Sequence, residues 1–151
     1  MKKTIFTLSL LMAGLLLSTR AFSVEPTYYG FNEGYKKAAA EKKVLMIHFY
    51  TEWCGWCKVM EKKTFNTPEV AAAIKKNFIA VKINPEIEGT YDYDGKKYTG
   101  TQLGELLIGR KIEGYPTVLF HSPRTKKGEI VAGYQNPEQF LPLLAKCAKM
   151  K

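Results

Sequence analysis

The sequence predicts an α/β fold in which one mixed β-sheet is covered by helices on both sides. Short apolar runs of strand length alternate with longer segments rich in Ala, Lys and Glu, which are typical of amphipathic helices. The apolar runs at 44–50 and 78–83 flank such a segment, and this order predicts a βαβ unit with two parallel strands. A chain of 151 residues suits one domain of this kind with a sizeable core.

Three helical segments are expected around these first two strands. The first covers 31–43, with Asn32 as its candidate N-cap. The second covers 54–63 and breaks near Phe65. The third starts at Thr67-Pro68, because threonine caps a helix and proline is tolerated in its first turn.

The second half of the chain contains a predicted hairpin, two further strands and two further helices. The hairpin covers 91–98 and turns at Asp94-Gly95, a sequence typical of tight hairpin turns. We expect a short helix over 101–110 and two strands over 117–120 and 129–133, which a basic turn joins. A closing helix is expected to begin at Asn136-Pro137.

The first 23 residues have the pattern of a secretion signal. A positive start is followed by 16 uncharged residues at 4–19, and small residues stand at Ala21 and Ser23. Sixteen residues are short for a membrane span, which needs about 20, so the pattern favours a cleaved signal. An uncleaved membrane anchor is the alternative. No cysteine lies near the expected cleavage point, which excludes a lipoprotein anchor. We therefore expect a cleaved signal at 1–23 and one mature domain at 24–151.

Composition excludes several classes of protein. The length excludes a multi-domain enzyme, three cysteines exclude a disulfide-stapled mini-protein, and 46% apolar residues exclude a disordered chain. The formal charge of +9 falls to +6 when Lys2, Lys3 and Arg20 are removed with the signal. Because no nucleic-acid motif accompanies this charge, we expect no nucleic-acid partner.

The chemistry of the chain is expected at Cys54 and Cys57. Cys54 follows a buried strand and opens a helix, where free amide groups and the helix dipole lower a thiol pKa from its ordinary value of about 8.5. Cys57 lies one turn further on the same side, so it can attack a mixed disulfide formed by Cys54. Cys54 is then the nucleophile and Cys57 the resolving thiol. A structural disulfide is one alternative, and a metal half-site that draws on Cys147, His48 and His121 is the other.

Two motifs resemble the signatures of the thioredoxin superfamily over most of residues 31–149. The EWCGWCK motif at 52–58 looks like its active-site loop, and the GYPT motif at 114–117 looks like its second signature. The resemblance implies a thioredoxin fold with the 91–98 hairpin as a small insert before Pro116. It also implies a Cys54–Cys57 disulfide, a cis Tyr115–Pro116 bond opposite this pair, and substrate binding by Trp53, Trp56 and Tyr115. The alternative for Pro116 is a proline that only starts an edge strand.

A narrower resemblance concerns residues 57–61 and 64–70. This stretch is similar to the C-terminal periplasmic thioredoxin domain of the bacterial transmembrane thiol–disulfide interchange protein. The resemblance implies that Glu61 lies near the cysteine pair and influences its protonation, whereas the alternative is a solvated helix residue. His48 occupies the position of a buried acid in thioredoxins. A neutral imidazole with a pKa near 6.5 can move the proton of Cys57, and the alternative is a buried histidine bonded to a backbone carbonyl.

These resemblances imply a periplasmic thiol–disulfide oxidoreductase that reduces protein disulfides. Its expected partners are oxidised protein substrates and a membrane thiol–disulfide reductant as electron donor, and we expect a monomer without a cofactor or metal. The direction of electron flow depends on the reduction potential, so an oxidase or isomerase remains an alternative. A non-catalytic module that binds proteins or a metal is a further one. We expect Cys147 to pack as a small hydrophobic residue rather than form a bridge, and the tyrosines of the 91–98 hairpin to pack rather than dock a partner.

Overall fold

The computed structural model describes residues 25–151, and the expected secretion signal at 1–23 lies outside these residues. The described segment contains seven strands and five α-helices. The strands are β1 (Tyr28–Tyr29), β2 (Val44–Phe49), β3 (Phe78–Ile83), β4 (Tyr91–Tyr93), β5 (Lys96–Tyr98), β6 (Thr117–His121) and β7 (Gly128–Ala132). The helices are α1 (Phe31–Ala40), α2 (Gly55–Met60), α3 (Pro68–Asn77), α4 (Gly100–Ile108) and α5 (Pro137–Cys147).

Five strands form one mixed sheet in the order β1-β3-β2-β6-β7, which confirms the predicted fold class. Strands β1, β2 and β3 are parallel, while β6 and β7 are antiparallel to their neighbours. Phe49 at the end of β2 pairs with Thr117, and Leu45 near its start pairs with His121. We call the end of the sheet at which β2 finishes the cysteine end, because the chain continues from there to Cys54. The end at which β2 starts is called the distal end.

The side chains of the sheet alternate between two apolar layers. Phe120 contributes to the layer under α3 and α5, and its ring contacts that of Phe140 at a centroid distance of 6.0 Å. Leu119 contributes to the layer under α1 and α4. Helix α1 approaches the sheet closely, since a Cβ placed on Gly34 would lie 2.6 Å from Val81. Each layer is a continuous apolar core between the sheet and two helices, so we expect the described segment to fold as one domain.

The segment after α2 departs from a regular helix. Glu61–Phe65 forms one turn of π-helix, where a continued α-helix was predicted to 63. Thr64 explains part of this, because its hydroxyl donates to the backbone oxygen of Gln135 at 2.6 Å and ties the segment to the start of α5. The strand β1 was not predicted at all, because a two-residue strand has no recognisable periodicity.

The predicted cap of α1 was wrong. Gly30 occupies the N-cap position without a side-chain hydrogen bond, and the helix begins at Phe31. The side chain of Asn32 instead accepts a hydrogen bond from the backbone N–H of Asp92 at 2.8 Å and donates to its carboxylate at 3.0 Å. Asn32 therefore joins α1 to the β4–β5 hairpin. The cap of α5 is confirmed, since Asn136 forms a reciprocal capping box with Gln139.

The β4–β5 hairpin packs against α1, as expected for its tyrosines. Tyr91 contacts Phe31 edge-to-face at 5.9 Å, and Tyr93 contacts Tyr35 at 5.2 Å. The turn at the tip uses left-handed conformations at Asp94 and Gly95, with φ angles of 49° and 78°. Within residues 25–151, no helix is long and apolar enough to cross a membrane.

Candidate active site

Cys54 and Cys57 form a disulfide at the start of α2, immediately beyond the end of β2. Cys54 is the N-cap residue, and the backbone N–H of Cys57 donates to its sulfur at 3.1 Å. The backbone N–H of Cys54 donates to the carbonyl of Thr51 at 3.2 Å, which closes the loop between strand and helix. Only 4% of Cys54 and 2% of Cys57 is exposed, so a partner can reach only a small part of either residue.

This geometry favours a thiolate on Cys54 once the disulfide is reduced. The first amide groups of α2 have no carbonyl partner within the helix, and one of them already points at the sulfur. A negative charge on that sulfur is therefore stabilised more than a neutral thiol. Within residues 25–151, no group of three or more His, Cys, Asp and Glu side chains is placed to hold a metal ion.

The loop before β6 lies beside the cysteine loop. The peptide bond between Tyr115 and Pro116 is cis. The carbonyl of Pro116 accepts a hydrogen bond from Gly133 at 2.8 Å, and the hydroxyl of Thr117 donates to the carbonyl of Gly114 at 2.8 Å. Since Thr117 pairs with Phe49, this loop stands at the cysteine end of the sheet.

Two exposed tryptophans flank the disulfide, and each contacts a partly buried tyrosine. Trp53 is 69% exposed and contacts Tyr115 edge-to-face at 5.9 Å, while its indole N–H donates to Glu86 at 2.9 Å. Burial and the Glu86 carboxylate raise the pKa of Tyr115. Trp56 is 62% exposed and contacts Tyr134 at 5.3 Å. The sequence did not identify Glu86 and Tyr134 as site residues, because both are far from the tryptophans along the chain and belong to no motif that indicates the contact.

His48 lies on β2, one residue before the end of the strand, and is fully buried. Its ring contacts Phe65 edge-to-face at 5.1 Å, and neither ring nitrogen has a hydrogen-bond partner among the described residues. The expected bond to a backbone carbonyl is therefore absent. Burial, with a smaller contribution from the Lys82 charge, lowers the pKa of His48 to about 3. The pKa of His48 is thus well below the ordinary histidine value of about 6.5, because the apolar surroundings penalise the charged ring.

Glu61 forms an ion pair with Lys82 at 2.6 Å. Lys82 is the partner of His48 across the parallel strands β2 and β3, so the pair lies next to the buried imidazole. The ammonium also lies over the rings of Tyr28 and Tyr50, at 5.2 and 4.8 Å from their centroids. Lys82 was missed, although a single charge within the apolar strand FIAVKI was the signal that could have identified it.

Cys147 lies apart from this site, near the end of α5. It is a free thiol with no exposed surface, as expected for a packed side chain. Burial, with a smaller contribution from Glu129, raises its pKa to about 11. Cys147 is therefore a neutral thiol at physiological pH.

Comparison with known proteins agrees with this architecture. Residues 31–148 match the family model described as a thioredoxin-like domain. The thiol:disulfide interchange protein DsbD of Tatumella citrea is 31% identical over 109 residues, which cover 71% of this chain but 17% of that protein. The chain thus spans less than a fifth of the length of this relative.

Two solved structures show the same fold. The oxidised C-terminal domain of DsbD from Neisseria meningitidis matches with a TM-score of 0.56 and 20% identity, covering 80% of this chain and 98% of that domain. A thioredoxin-fold protein from Helicobacter pylori matches with a TM-score of 0.64 and 22% identity, covering 72% and 71% of the two chains.

The fold and the cysteine pair define a thioredoxin-like protein with the arrangement of a thiol–disulfide oxidoreductase. Because the family model matches residues 31–148, which is most of the chain, it shows membership of a family and not only a shared fold. The chain belongs to the thioredoxin superfamily.

Proposed function

We propose that this protein is a periplasmic thiol–disulfide oxidoreductase that reduces protein disulfides. The observation that carries the proposal is the Cys54–Cys57 pair at the start of α2, beside the Pro116 loop. The similarity to thiol:disulfide interchange proteins supports the chemistry. We place the mature domain at 24–151, exported by the signal at 1–23.

The reaction begins with the reduced pair. The Cys54 thiolate attacks one sulfur of a substrate disulfide, forms a mixed disulfide, and releases the other substrate sulfur as a thiolate. Cys57 then loses its proton and attacks the Cys54 sulfur, which releases the second substrate thiolate and closes the Cys54–Cys57 disulfide. Two electrons have passed to the substrate, whose two thiolates take up protons. A membrane thiol–disulfide reductant returns two electrons to the pair.

The surroundings of Cys54 support a reductant rather than a strong oxidant. A strong oxidant needs a reduced form that is heavily stabilised, since its low-pKa thiolate leaves easily. Within residues 25–151, the one hydrogen bond to the Cys54 sulfur comes from the backbone of Cys57, and no basic side chain donates to it. We therefore expect a reduction potential nearer to about −270 mV than to about −120 mV.

The aromatic pairs form the walls of the substrate site. We propose that an extended substrate segment passes between Trp53 with Tyr115 on one side and Trp56 on the other, and pairs with the backbone of Tyr115. The large exposed fractions of both indoles support this role, because aromatic side chains at a surface are typical of binding sites.

His48 and Glu61 are proposed to act on the proton of Cys57. His48 is neutral, and a developing thiolate on Cys57 would raise its pKa, because a nearby negative charge favours the protonated ring. Glu61 holds Lys82 beside that ring and so sets the local charge. Replacing His48 with Leu should slow exchange and alter its pH profile. An unchanged profile would remove His48 from the mechanism.

The function is tested by insulin reduction with the 24–151 segment. The wild type should accelerate the reaction, whereas Cys54→Ser should not. Cys57→Ser should accumulate a mixed disulfide with the substrate, which a non-reducing gel detects. Equal rates for wild type and Cys54→Ser would favour a non-catalytic module. A measured potential near about −120 mV would favour the oxidase alternative.

The location and the electron donor are tested in cells. The mature protein should be found in the periplasmic fraction with an N-terminus near Val24, as mass spectrometry can show. Its cysteine pair should be reduced in a thiol-labelling assay and become oxidised when the membrane reductant is removed. A pair that is oxidised under both conditions would contradict the reductant role.

A further inference from the structure

Positive charge is concentrated at the distal end of the molecule. The turns and helix ends that reach this end are the last turn of α1 with the residues before β2, the last turn of α3, the β6–β7 turn and the end of α5. They carry eleven basic residues: Lys37, Lys42, Lys43, Lys75, Lys76, Arg124, Lys126, Lys127, Lys146, Lys149 and Lys151. We call this set the basic end.

The acidic residues do not balance this set. The basic end and the adjoining tip of the β4–β5 hairpin contain three carboxylates, Glu41, Asp94 and Glu129, so the formal excess is eight positive charges. The whole described segment has twenty basic and fourteen acidic residues, an excess of six, so the remainder of the segment has a formal charge of −2. The domain therefore has a strong charge dipole along the strand direction.

Part of the basic end is free to bind an external anion. The three carboxylates pair with Lys37, Lys43, Lys126 and Lys146. The exposed side chains of Lys42, Lys75, Lys76, Lys127 and Lys149 form no ion pair within residues 25–151. A cluster of unpaired cations on one surface creates a long-range attractive potential for a negatively charged partner.

A cavity of about 260 Å³ opens among these charges, between the end of α1 and the β6–β7 turn. Its apolar lining comes from Ala38, Ala39 and Pro123, and its basic lining comes from Lys42, Lys43, Arg124 and Lys151. Lys43 is paired with Glu41 and the Arg124 guanidinium donates to the backbone oxygen of Lys151, so Lys42 is the cation of this lining whose charge is most available. An apolar floor with a cationic rim matches a molecule that joins a phosphate to a hydrocarbon group. A nucleic acid or an acidic protein has anionic groups for the cationic rim, but these groups are not joined to a long hydrocarbon chain that could pack on the apolar floor.

We propose that the basic end binds the surface of an anionic phospholipid bilayer. The lipid phosphates contact the unpaired lysines, and the first acyl-chain carbons of one lipid enter the cavity and pack against Ala38, Ala39 and Pro123. The four contributing segments spread the charge over one end of the domain, as a planar partner requires. Because the cysteine pair lies at the other end of the strands, a bound molecule presents Cys54 away from the membrane. This inference does not depend on the proposed redox function.

The test compares two matched variants of the 24–151 segment. Lys75→Gln/Lys76→Gln neutralises two consecutive exposed lysines at the basic end. Lys62→Gln/Lys63→Gln neutralises two consecutive exposed lysines in the π-helical turn. This turn is bonded to the cysteine end, because the hydroxyl of Thr64 donates to the backbone oxygen of Gln135 just before α5. Both variants change the net charge equally, so a difference between them reports the position of the charge. Circular dichroism and urea unfolding verify that each variant is folded.

Binding is measured by co-sedimentation with vesicles of phosphatidylglycerol and phosphatidylcholine, and with vesicles of phosphatidylcholine alone. The wild type should bind the anionic vesicles, more weakly at high salt, and should leave the neutral vesicles unbound. Lys75→Gln/Lys76→Gln should weaken the partition coefficient roughly thirtyfold, whereas the control pair should change it less than threefold. Absence of binding to the anionic vesicles, or an equal loss in both variants, would overturn the proposal.

Discussion

The folded protein should lose stability between pH 7 and pH 5, because it holds both of its histidines neutral. Burial lowers the pKa of His48 to about 3. Burial and the Lys126 charge lower that of His121 to about 4, against a smaller opposing effect of Asp94. In the unfolded chain each imidazole has its ordinary pKa of about 6.5. At pH 5 the unfolded state therefore binds two protons that the folded state does not.

The size of this effect follows from the two sets of pKa values. A depressed histidine pKa stabilises the fold fully above about pH 6.5, and the stabilisation is lost as the pH falls towards the folded pKa. Between pH 7 and pH 5, each histidine should lower the free energy of unfolding by about 2 kcal/mol, so the pair should lower it by about 4 kcal/mol. The estimate for this interval requires only that both folded pKa values lie below 5.

The assay is urea unfolding of the oxidised 24–151 segment at pH 7 and pH 5. The sequence has two histidines, so a His48→Leu/His121→Leu variant has none. His48→Leu alone should halve the pH dependence, and the double variant should remove most of it. His48→Leu breaks no hydrogen bond, because neither ring nitrogen has a partner among the described residues. Equal wild-type stability at both pH values, or full pH dependence in the double variant, would refute the reasoning.

Three further predictions concern stability and thiol reactivity. Gly34→Ala should destabilise the fold by about 1–3 kcal/mol in urea unfolding, since the new methyl group would lie 2.6 Å from Val81; an unchanged midpoint would show that α1 can shift. Asn136→Ala should cost about 1 kcal/mol in the same assay, because the capping box with Gln139 is lost, and Asn136→Ser should recover most of it. Cys147 should not react with a thiol reagent at pH 8 in the folded oxidised protein and should react at once in urea, because burial raises its pKa to about 11; rapid labelling without urea would contradict its packing.

The sequence predicted the elements that depend on local patterns. Strands β2 and β3 were recognisable because both faces of each strand are covered, so nearly every residue is apolar. The cysteine pair was recognisable because a strand, a CxxC motif and a helix follow one another directly. Both inferences use residues that are close along the chain.

The features that escaped prediction depend on contacts between distant residues. The π-helical turn is linked to Gln135 through Thr64, and Asn32 is directed towards Asp92 in the hairpin. Neither partner can be identified from spacing. The pKa of His48 could not be predicted either, since it depends on the packing of Phe65 over the ring and on Lys82 in the adjacent strand.

Glu61 and Lys82, the ion pair next to His48, lie at the edge of the core rather than within it. An ionised carboxylate at position 48 would need a partner to offset its burial, and Lys82 is the adjacent cation. With histidine there, the buried position remains neutral, and Lys82 pairs with the partly exposed Glu61 instead. Removing Glu61 would leave the ammonium beside the imidazole without its carboxylate and would further disfavour a protonated ring. Glu61→Gln should therefore slow exchange in the wild type but have little effect in the His48→Leu background, if Glu61 acts through His48. Equal slowing in both backgrounds would show that Glu61 acts on the cysteine pair by another route.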